Sequence, residues 1–368
     1  MLRVGVVGAG WFASRRHLPE LVEHPEVELV ALCRRSPEPL ARLAKWFGVA
    51  RTYTEPETML AEAELDAVLV CSPHNLHHDH TVACLDAGCH VLLEKPMAIT
   101  GAEARDLVAR AEAAGKILDV AYNPPYWRHS AWLKERVEAG DFGEIEGVDL
   151  RSSNNQAGLY GREPLPAKMP GVVPPTVFRG DPLANGGGHL IDGGSHMVCE
   201  VLWVTGQAVT SVSCAMDQVP ADQRYALSFT LAGGGSGQLA GIADSTRPGK
   251  QLLGLWQGTK ATALVRSNPD FEIHWLPGYG APSWVREADM PDVPQPVVSF
   301  VDAVLGRTAP RSPGSDCVAY VDVIEAAYRA AQSGRTERPG APPPPGPAPA
   351  RRSLLGNSLS RSRPGEPS

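Results

Sequence analysis

The sequence predicts an α/β chain of two domains. The first is an N-terminal doubly wound parallel sheet; the second is a C-terminal α+β domain with a mostly antiparallel open sheet. Three observations carry this reading. Short apolar runs alternate with helix-like stretches up to about residue 122. A glycine turn joins the first of those runs to the first of those helices. Between residues 209 and 275 the apolar runs follow one another with no helical stretch between them, the pattern of an antiparallel sheet. At 368 residues the chain is long enough for two cores.

The elements follow in order. Residues 2–7, 27–33 (VELVALC), 67–71 (AVLVC), 90–93 and 117–121 read as strands buried on both faces. Helices are expected between them over 13–23, 37–47, 56–63, 77–87 and 100–114. Gly88 and Gly115 stand where a helix is capped before a strand, and Thr100 with Glu103 forms a capping-box pattern. Next come a helix over 131–139 and a strand over 145–151. Residues 152–187 are rich in Gly, Pro and Asn and lack periodicity. Compact proteins reserve loops of that length for function or motion, and this one is expected to cover the site and set the substrate. A helix is expected from about Leu190 to Val204, then strands over 209–215, 225–231, 237–242, 252–256, 261–265 and 271–275. Gly233-Gly234-Gly235 reads as a hairpin link. Late helices are expected over 297–305 and 315–331. The division expected is 1–122, 123–333, and a Pro-rich basic tail, 334–368, disordered and dispensable.

The tail carries nine of the 34 prolines and six arginines against Glu337 and Glu366, so it is basic while the rest of a chain of net charge −7 is acidic. That balance, with a pI near 5.9, argues against nucleic acid or an anionic membrane as partner. Seven cysteines in apolar surroundings read as small buried hydrophobes in a reducing compartment, so a cytoplasmic protein is expected. The start shows no charged segment before a long apolar one, so no secretory signal is expected. No apolar stretch approaches the roughly 20 residues of a membrane span. No cysteine pair has zinc spacing, and the His74, His77, His78, His80 cluster lacks a matching Cys or carboxylate set. No metal is expected.

The glycine turn reads Gly8-x-Gly10-x-x-Ala13. Gly8 permits the tight turn, Gly10 lets the backbone approach a pyrophosphate, and Ala13 keeps helix and strand close. In its strand–turn–helix setting this is a Rossmann dinucleotide fingerprint, with Trp11 and Phe12 expected against the cofactor. The second strand should end in an acid for the adenosine ribose. It ends instead in Cys33-Arg34-Arg35-Ser36. Two guanidiniums and a hydroxyl suit a 2′-phosphate, so NADP(H) is expected, with NAD(H) held by backbone contacts as the alternative.

Three further segments complete a pattern: Ser72-Pro73-His74-Asn75-Leu76-His77, then Ala87 to Pro96 (AGCHVLLEKP), then Gly186 to His196 (GGGHLIDGGSH). Together with the glycine turn, over roughly residues 1–330, they resemble the glucose–fructose oxidoreductase / inositol dehydrogenase (Gfo/Idh/MocA) family. The resemblance implies NAD(P)-dependent oxidation of a hydroxyl on a small carbohydrate or polyol, or the reverse. It also implies a homodimer or homotetramer formed through the open sheet. By position it makes Lys95, Asp192 and His196 the catalytic set. It places Ser72, Pro73, Asn75, His77, Glu94, Lys95 and Arg179 beside the cofactor, and Tyr122 and Asn123 with the catalytic set around the substrate. Two departures alter the pocket. His74 stands where members often carry Asn, and Ala121-Tyr122-Asn123-Pro124-Pro125 replaces a GYNRR-like stretch. No member's substrate is therefore carried over.

Read as chemistry, the oxidation of an alcohol sends a hydride to the cofactor and a proton to a base. His196 titrates nearest neutral pH. Asp192, four residues before it on the expected helix, shares its face and either meets the same hydroxyl or orients the ring. Lys95 follows a strand at the carboxyl edge of the sheet, where a cation stabilises alkoxide character, and Pro96 fixes the turn that aims it. His189 is expected to serve only as helix-start polarity and Trp203 and Trp275 to pack, while Trp127, which follows the pocket-edge segment, either packs or stacks on sugar. Two alternatives within the resemblance are a redox-neutral glycosidase using tightly held NAD and a non-catalytic NAD(P)-sensing regulator; the intact acid/base set argues against the second.

Overall fold

A computed structural model describes residues 1–164, 169–247, 249–267 and 271–341. Six strands form one all-parallel sheet: β1 (Leu2–Val7), β2 (Val27–Cys33), β3 (Arg51–Tyr53), β4 (Ala67–Val70), β5 (His90–Leu93) and β6 (Leu118–Val120). Their order is β3-β2-β1-β4-β5-β6. Helices α1 (Leu18–Glu23), α2 (Pro37–Phe47), α3 (Pro56–Glu62), α4 (His77–Asp86) and α5 (Gly101–Ala114) connect them. Alternate residues of one strand enter different cores, Val68 and Val70 on one face and Ala67 and Leu69 on the other. That is why the strands read as unbroken apolar runs. The strand order reverses between β2 and β4 on either side of β1, which opens a crevice at their carboxyl ends. Thr100 and Glu103 form the expected capping box, and Gly88 and Gly115 take positive φ. β3 was not expected; its three residues are largely exposed at the sheet edge and carry no apolar run.

The second sheet has eight strands: β7 (Ile145–Ser153), β8 (Val209–Met216), β9 (Arg224–Leu231), β10 (Ser236–Ile242), β11 (Gln251–Gly258), β12 (Ala261–Ser267), β13 (Phe271–Pro277) and β14 (Ser283–Arg286). The order is β14-β13-β12-β11-β7-β10-β9-β8, antiparallel throughout except for β7 with β10. Helices α6 (Arg128–Glu138), α7 (Pro182–Asn185), α8 (Ser195–Thr205), α9 (Pro296–Val304) and α10 (Gly314–Ser333) complete the chain. On β9, Tyr225, Leu227, Phe229 and Leu231 turn inward to the core shared with α8 and α10, while the residues between them are exposed. α9 returns to the first unit, where Val297, Phe300 and Val301 pack with Val4 and Leu18.

Three element starts differ from expectation. The helix expected over 13–23 opens with a π-turn, Ala13–His17, and the helix expected from Leu190 opens with another, Leu190–Gly194. The tail does not begin at 334. Gly334 closes α10 in the left-handed region, and the chain folds back onto edge strand β8. There Glu337 pairs with Val212, and the Thr336 and Ser213 hydroxyls lie 2.8 Å apart. An edge strand offers unpaired backbone groups, and this segment satisfies two of them. Residues 342–368, the remainder of the expected disordered tail, lie outside the described residues. Among the described residues no helix is long and apolar enough to cross a membrane.

Candidate active site

A cavity of about 960 Å³ opens at the carboxyl ends of β1, β2, β4 and β5, walled on another side by residues from 152–159 and 175–179. At one end lies the glycine turn. Gly8 has φ +79°, and a Cβ there would strike the Ser72 backbone, so only glycine fits. The Gly8 and Ala9 N–H groups both donate to the Cys33 carbonyl at 3.0 Å, tying β1 to the end of β2. Arg34 then reaches back and donates to the Ala9 carbonyl at 3.2 Å. Trp11, Phe12, Arg34, Arg35 and Ser36 all line the cavity there, joined by Glu55. The cradle that a Cβ would fill, with the buried Arg34 Nε and Ser72 Oγ unpartnered among the described residues, fits a dinucleotide.

The next wall comes from the loops after β4 and β5. His77 is fully buried, its ring between the Pro96 carbonyl at 2.6 Å and the Ser72 carbonyl at 2.9 Å. Burial pushes it down to about 4. Ser72 and Pro73 line the cavity with it. Glu94 pairs with buried His17 at 2.7 Å and accepts the Lys95 N–H at 3.2 Å. The Lys95–Pro96 bond is cis. From this turn Lys95 Nζ donates to Asp192 twice, to Oδ1 at 2.7 Å and to the carbonyl at 2.8 Å. Arg179 Nε takes Oδ2 at 2.9 Å, and the Tyr160 hydroxyl donates to Oδ2 at 3.4 Å. Burial works to raise the Asp192 carboxyl, but Arg179, Lys95 and His74 outweigh it and hold it well below the usual range. His196 is held well below its ordinary value by burial first, then by the charges of Lys95 and Lys250. Asn123 meets its ring through the backbone N–H (Nδ1, 3.4 Å) and the side-chain amide (Nε2, 3.3 Å), while Arg16 donates to Asn123 Oδ1 at 3.3 Å.

Most of the expected site residues therefore share one cavity, but two do not. Asn75 is exposed; the 3-10 turn His74–Leu76 points His74 inward in its place. His74 Nδ1 lies 2.9 Å from the Asn185 carbonyl, and Nε2 lies 3.8 Å from Asp192 Oδ1. Tyr122 is fully buried behind the site, edge-on to His196 and Tyr320, with Ala121 taking the cavity side of the chain. The idea that Asp192 orients the His196 ring also fails. Two cations claim its oxygens, and among the described residues the ring bonds Asn123 instead.

His189 is not mere helix-start polarity. It is buried, borders the cavity and, among the described residues, has no partner at either ring nitrogen. Burial pushes it down to about 4. Its place three residues before Asp192 was a usable signal. Arg16 and Lys250 were also missed, and a lone lysine after Gly249 gives no sequence signal at all. Trp127 stacks on His129, Trp275 meets Trp132 and Phe142, and Lys134 and Arg311 lie over Trp203. His78 turns away to Asp106 at 2.8 Å. Ser152, Asn154, Gln156, Leu159, Pro175, Thr176 and Phe178 of the long segment wall the cavity. Val173 anchors that segment in the first core, its N–H donated to Ser14 Oγ at 3.0 Å.

Comparison with known proteins fits this arrangement. Residues 2–122 match the model of an oxidoreductase family with an NAD-binding Rossmann fold, and residues 131–252 match the GFO/IDH/MocA C-terminal domain. The D-glucoside 3-dehydrogenase of Escherichia coli is 35% identical over 213 residues, 58% of this chain and 56% of that protein. The myo-inositol 2-dehydrogenase of Thermotoga maritima is 30% identical over 151 residues, 41% of this chain and 45% of that protein. The chain thus spans about half the length of these curated relatives. The WlbA dehydrogenase from Bordetella pertussis, solved with NADH and UDP-GlcNAcA, superposes with a TM-score of 0.78 at 22% identity, over 92% of this chain and 98% of that one. That likeness is one of fold. By its two matched domains, the chain belongs to the GFO/IDH/MocA family of NAD-binding oxidoreductases.

Proposed function

We propose that this chain is an NADP(H)-dependent oxidoreductase that moves a hydride between the nicotinamide and a hydroxyl or keto carbon of a sugar, polyol or sugar derivative. The observation that carries the reading is one cavity with the glycine turn and Arg34 at one end and Lys95, Asp192 and His196 at the other. A bound nicotinamide supplies the hydride acceptor or donor. His196, held in its free-base form at neutral pH, takes the proton of the substrate hydroxyl as the carbonyl forms. Lys95, aimed by Asp192, donates a hydrogen bond to the reacting oxygen and steadies its negative charge. Arg179 keeps Asp192 ionised, so that Lys95 stays where it is. In this reading residues 1–122 hold the cofactor and residues 123–333 the substrate. A second copy packs on the open sheet face, where Leu253, Leu264 and Trp284 are exposed.

Preference for NADP(H) rests on Arg34, Arg35 and Ser36 standing where an acid would bind a ribose hydroxyl. Titration of NADPH and NADH into the wild type and Arg34→Asp tests it. NADPH is expected to bind more tightly, and the substitution to weaken it by about tenfold or more while NADH changes little. Equal binding of the two cofactors would remove the preference, and binding of neither would remove the oxidoreductase reading.

A further inference from the structure

The ionisable lining of the cavity is unbalanced. Seven cationic side chains face it against three carboxylates, Glu55, Glu94 and Asp192, within a chain of net charge −7. Arg34 and Arg35 belong to the glycine-turn end. At the other end Asp192 is bonded to both Lys95 and Arg179, so it offers no counter-charge to anything else. Lys250 stands on the rim of that end, opposite the start of the long segment, its ammonium 5.2 Å from the centre of the Trp127 ring. Among the described residues it has no carboxylate within ion-pair distance. Its charge is felt by both His189 and His196. Beside it His189, 2% exposed, has neither ring nitrogen bonded among the described residues. Across the same wall Asn154 Oδ1 and Gln156 Oε1 are buried and, among the described residues, unpartnered, with Ser152 of β7 lining the cavity beside them. A buried polar group without a partner costs free energy, and four such atoms on one wall are a surface shaped for a polar ligand.

We propose that the substrate is an anionic sugar, its carboxylate or phosphate held by Lys250 and the His189 N–H, with Ser152, Asn154 and Gln156 taking its hydroxyls. This inference rests on the oxidoreductase reading and narrows its substrate class. An ammonium and an imidazole N–H give charge-assisted hydrogen bonds to an oxyanion, and a neutral sugar leaves the Lys250 charge without a counter-charge. The excess of cations over carboxylates also draws anions toward the opening.

The test uses the full-length protein saturated with NADPH and titrated calorimetrically with D-glucuronate, D-glucose 6-phosphate and D-glucose. In the wild type at least one of the anions is expected to bind about tenfold or more tightly than glucose. The ratio should fall to about one in Lys250→Ala and below one in Lys250→Glu. Glucuronate as the tight ligand assigns a carboxylate, glucose 6-phosphate a phosphate. Glucose binding as well as either anion, neither anion binding, or a preference that survives Lys250→Ala would each overturn the proposal. Uptake of NADPH is read in the same experiment before any sugar is added. Its absence would topple the oxidoreductase reading first, and this inference with it.

Discussion

Lys95 reaches Asp192 through both its carboxylate and its carbonyl, so this one side chain ties the loop after β5 to the turn before α8. Lys95→Ala is expected to lower turnover by about 10²-fold or more, the scale seen when a donor to a developing oxyanion is removed. The binding of NADPH should change little, because Arg34 and the glycine turn lie at the other end of the cavity. Initial rates with any sugar the enzyme accepts, beside a cofactor titration, check both halves; retained turnover would end the proposed role. At this scale the sequence was legible where a residue sits in a local pattern. Lys95, Asp192, His196 and Arg179, singled out by the motifs and the resemblance, line one cavity. It was illegible where direction depends on a single turn. His74 and Asn75 are neighbours, and only the 3-10 turn decides that the imidazole faces inward. Lys250 arrives at the site only because β11 pairs with β7, a contact between strands about a hundred residues apart that leaves no trace around the lysine itself.

The segment that carries Asp192 and His196 is braced from outside. The Asp222 carbonyl accepts the His189 N–H, and its carboxylate accepts the Leu190 N–H at 2.8 Å and the Tyr328 hydroxyl at 2.7 Å. The Tyr328 oxygen in turn accepts the Gly188 N–H at 2.9 Å. A Cβ on Gly188 would run into the Asp222 backbone, which explains why glycine stands there. Tyr328→Phe strands the buried Gly188 N–H and removes a donor from Asp222, so it should cost about 1–3 kcal/mol in urea unfolding. Gly188→Ala should cost at least as much, since backbone cannot yield as a side chain does. A Tyr328→Phe protein as stable as the wild type would refute the brace. Helices and central strands were legible here because their apolar periods are long. β3 and β14 were not, being short, exposed edge strands with no apolar period to read. Neither π-turn could be read, because one extra residue in a turn leaves the apolar pattern on either side intact.

Across the whole molecule, acid stability follows from groups that burial has moved. His74, His77, His189 and His196 are all held below their ordinary value, His77 and His189 at about 4. Between pH 6.5 and about 4 the unfolded chain therefore binds protons that the folded chain refuses, and stability falls as pH falls. Asp119 and Asp222 act in the opposite sense. Burial raises both to about 6, so the folded chain binds their protons first and gains stability as pH drops toward 4. His80 and His90 are held below their ordinary value as well and His78 above it, so six groups against three leave a net loss. The melting temperature is expected to decline from pH 6.5 to 4.5, and less steeply in His189→Gln. A flat or rising profile would contradict this account. At this scale the two-sheet architecture was legible from alternation alone, whereas the return of α9 to the first core was not, because its apolar residues suit either core. One feature of the fold also bears on ancestry. A π-turn is an α-helix that has absorbed one surplus residue while both its ends stay in place. Two of them flank this cavity, one holding Arg16 and His17 and the other Asp192. By that geometry a related chain without either turn is expected to be one residue shorter there with the fold unchanged. In a genealogy of such chains, a single-residue gap at either point is therefore expected to mark a site rebuilt on an unchanged fold.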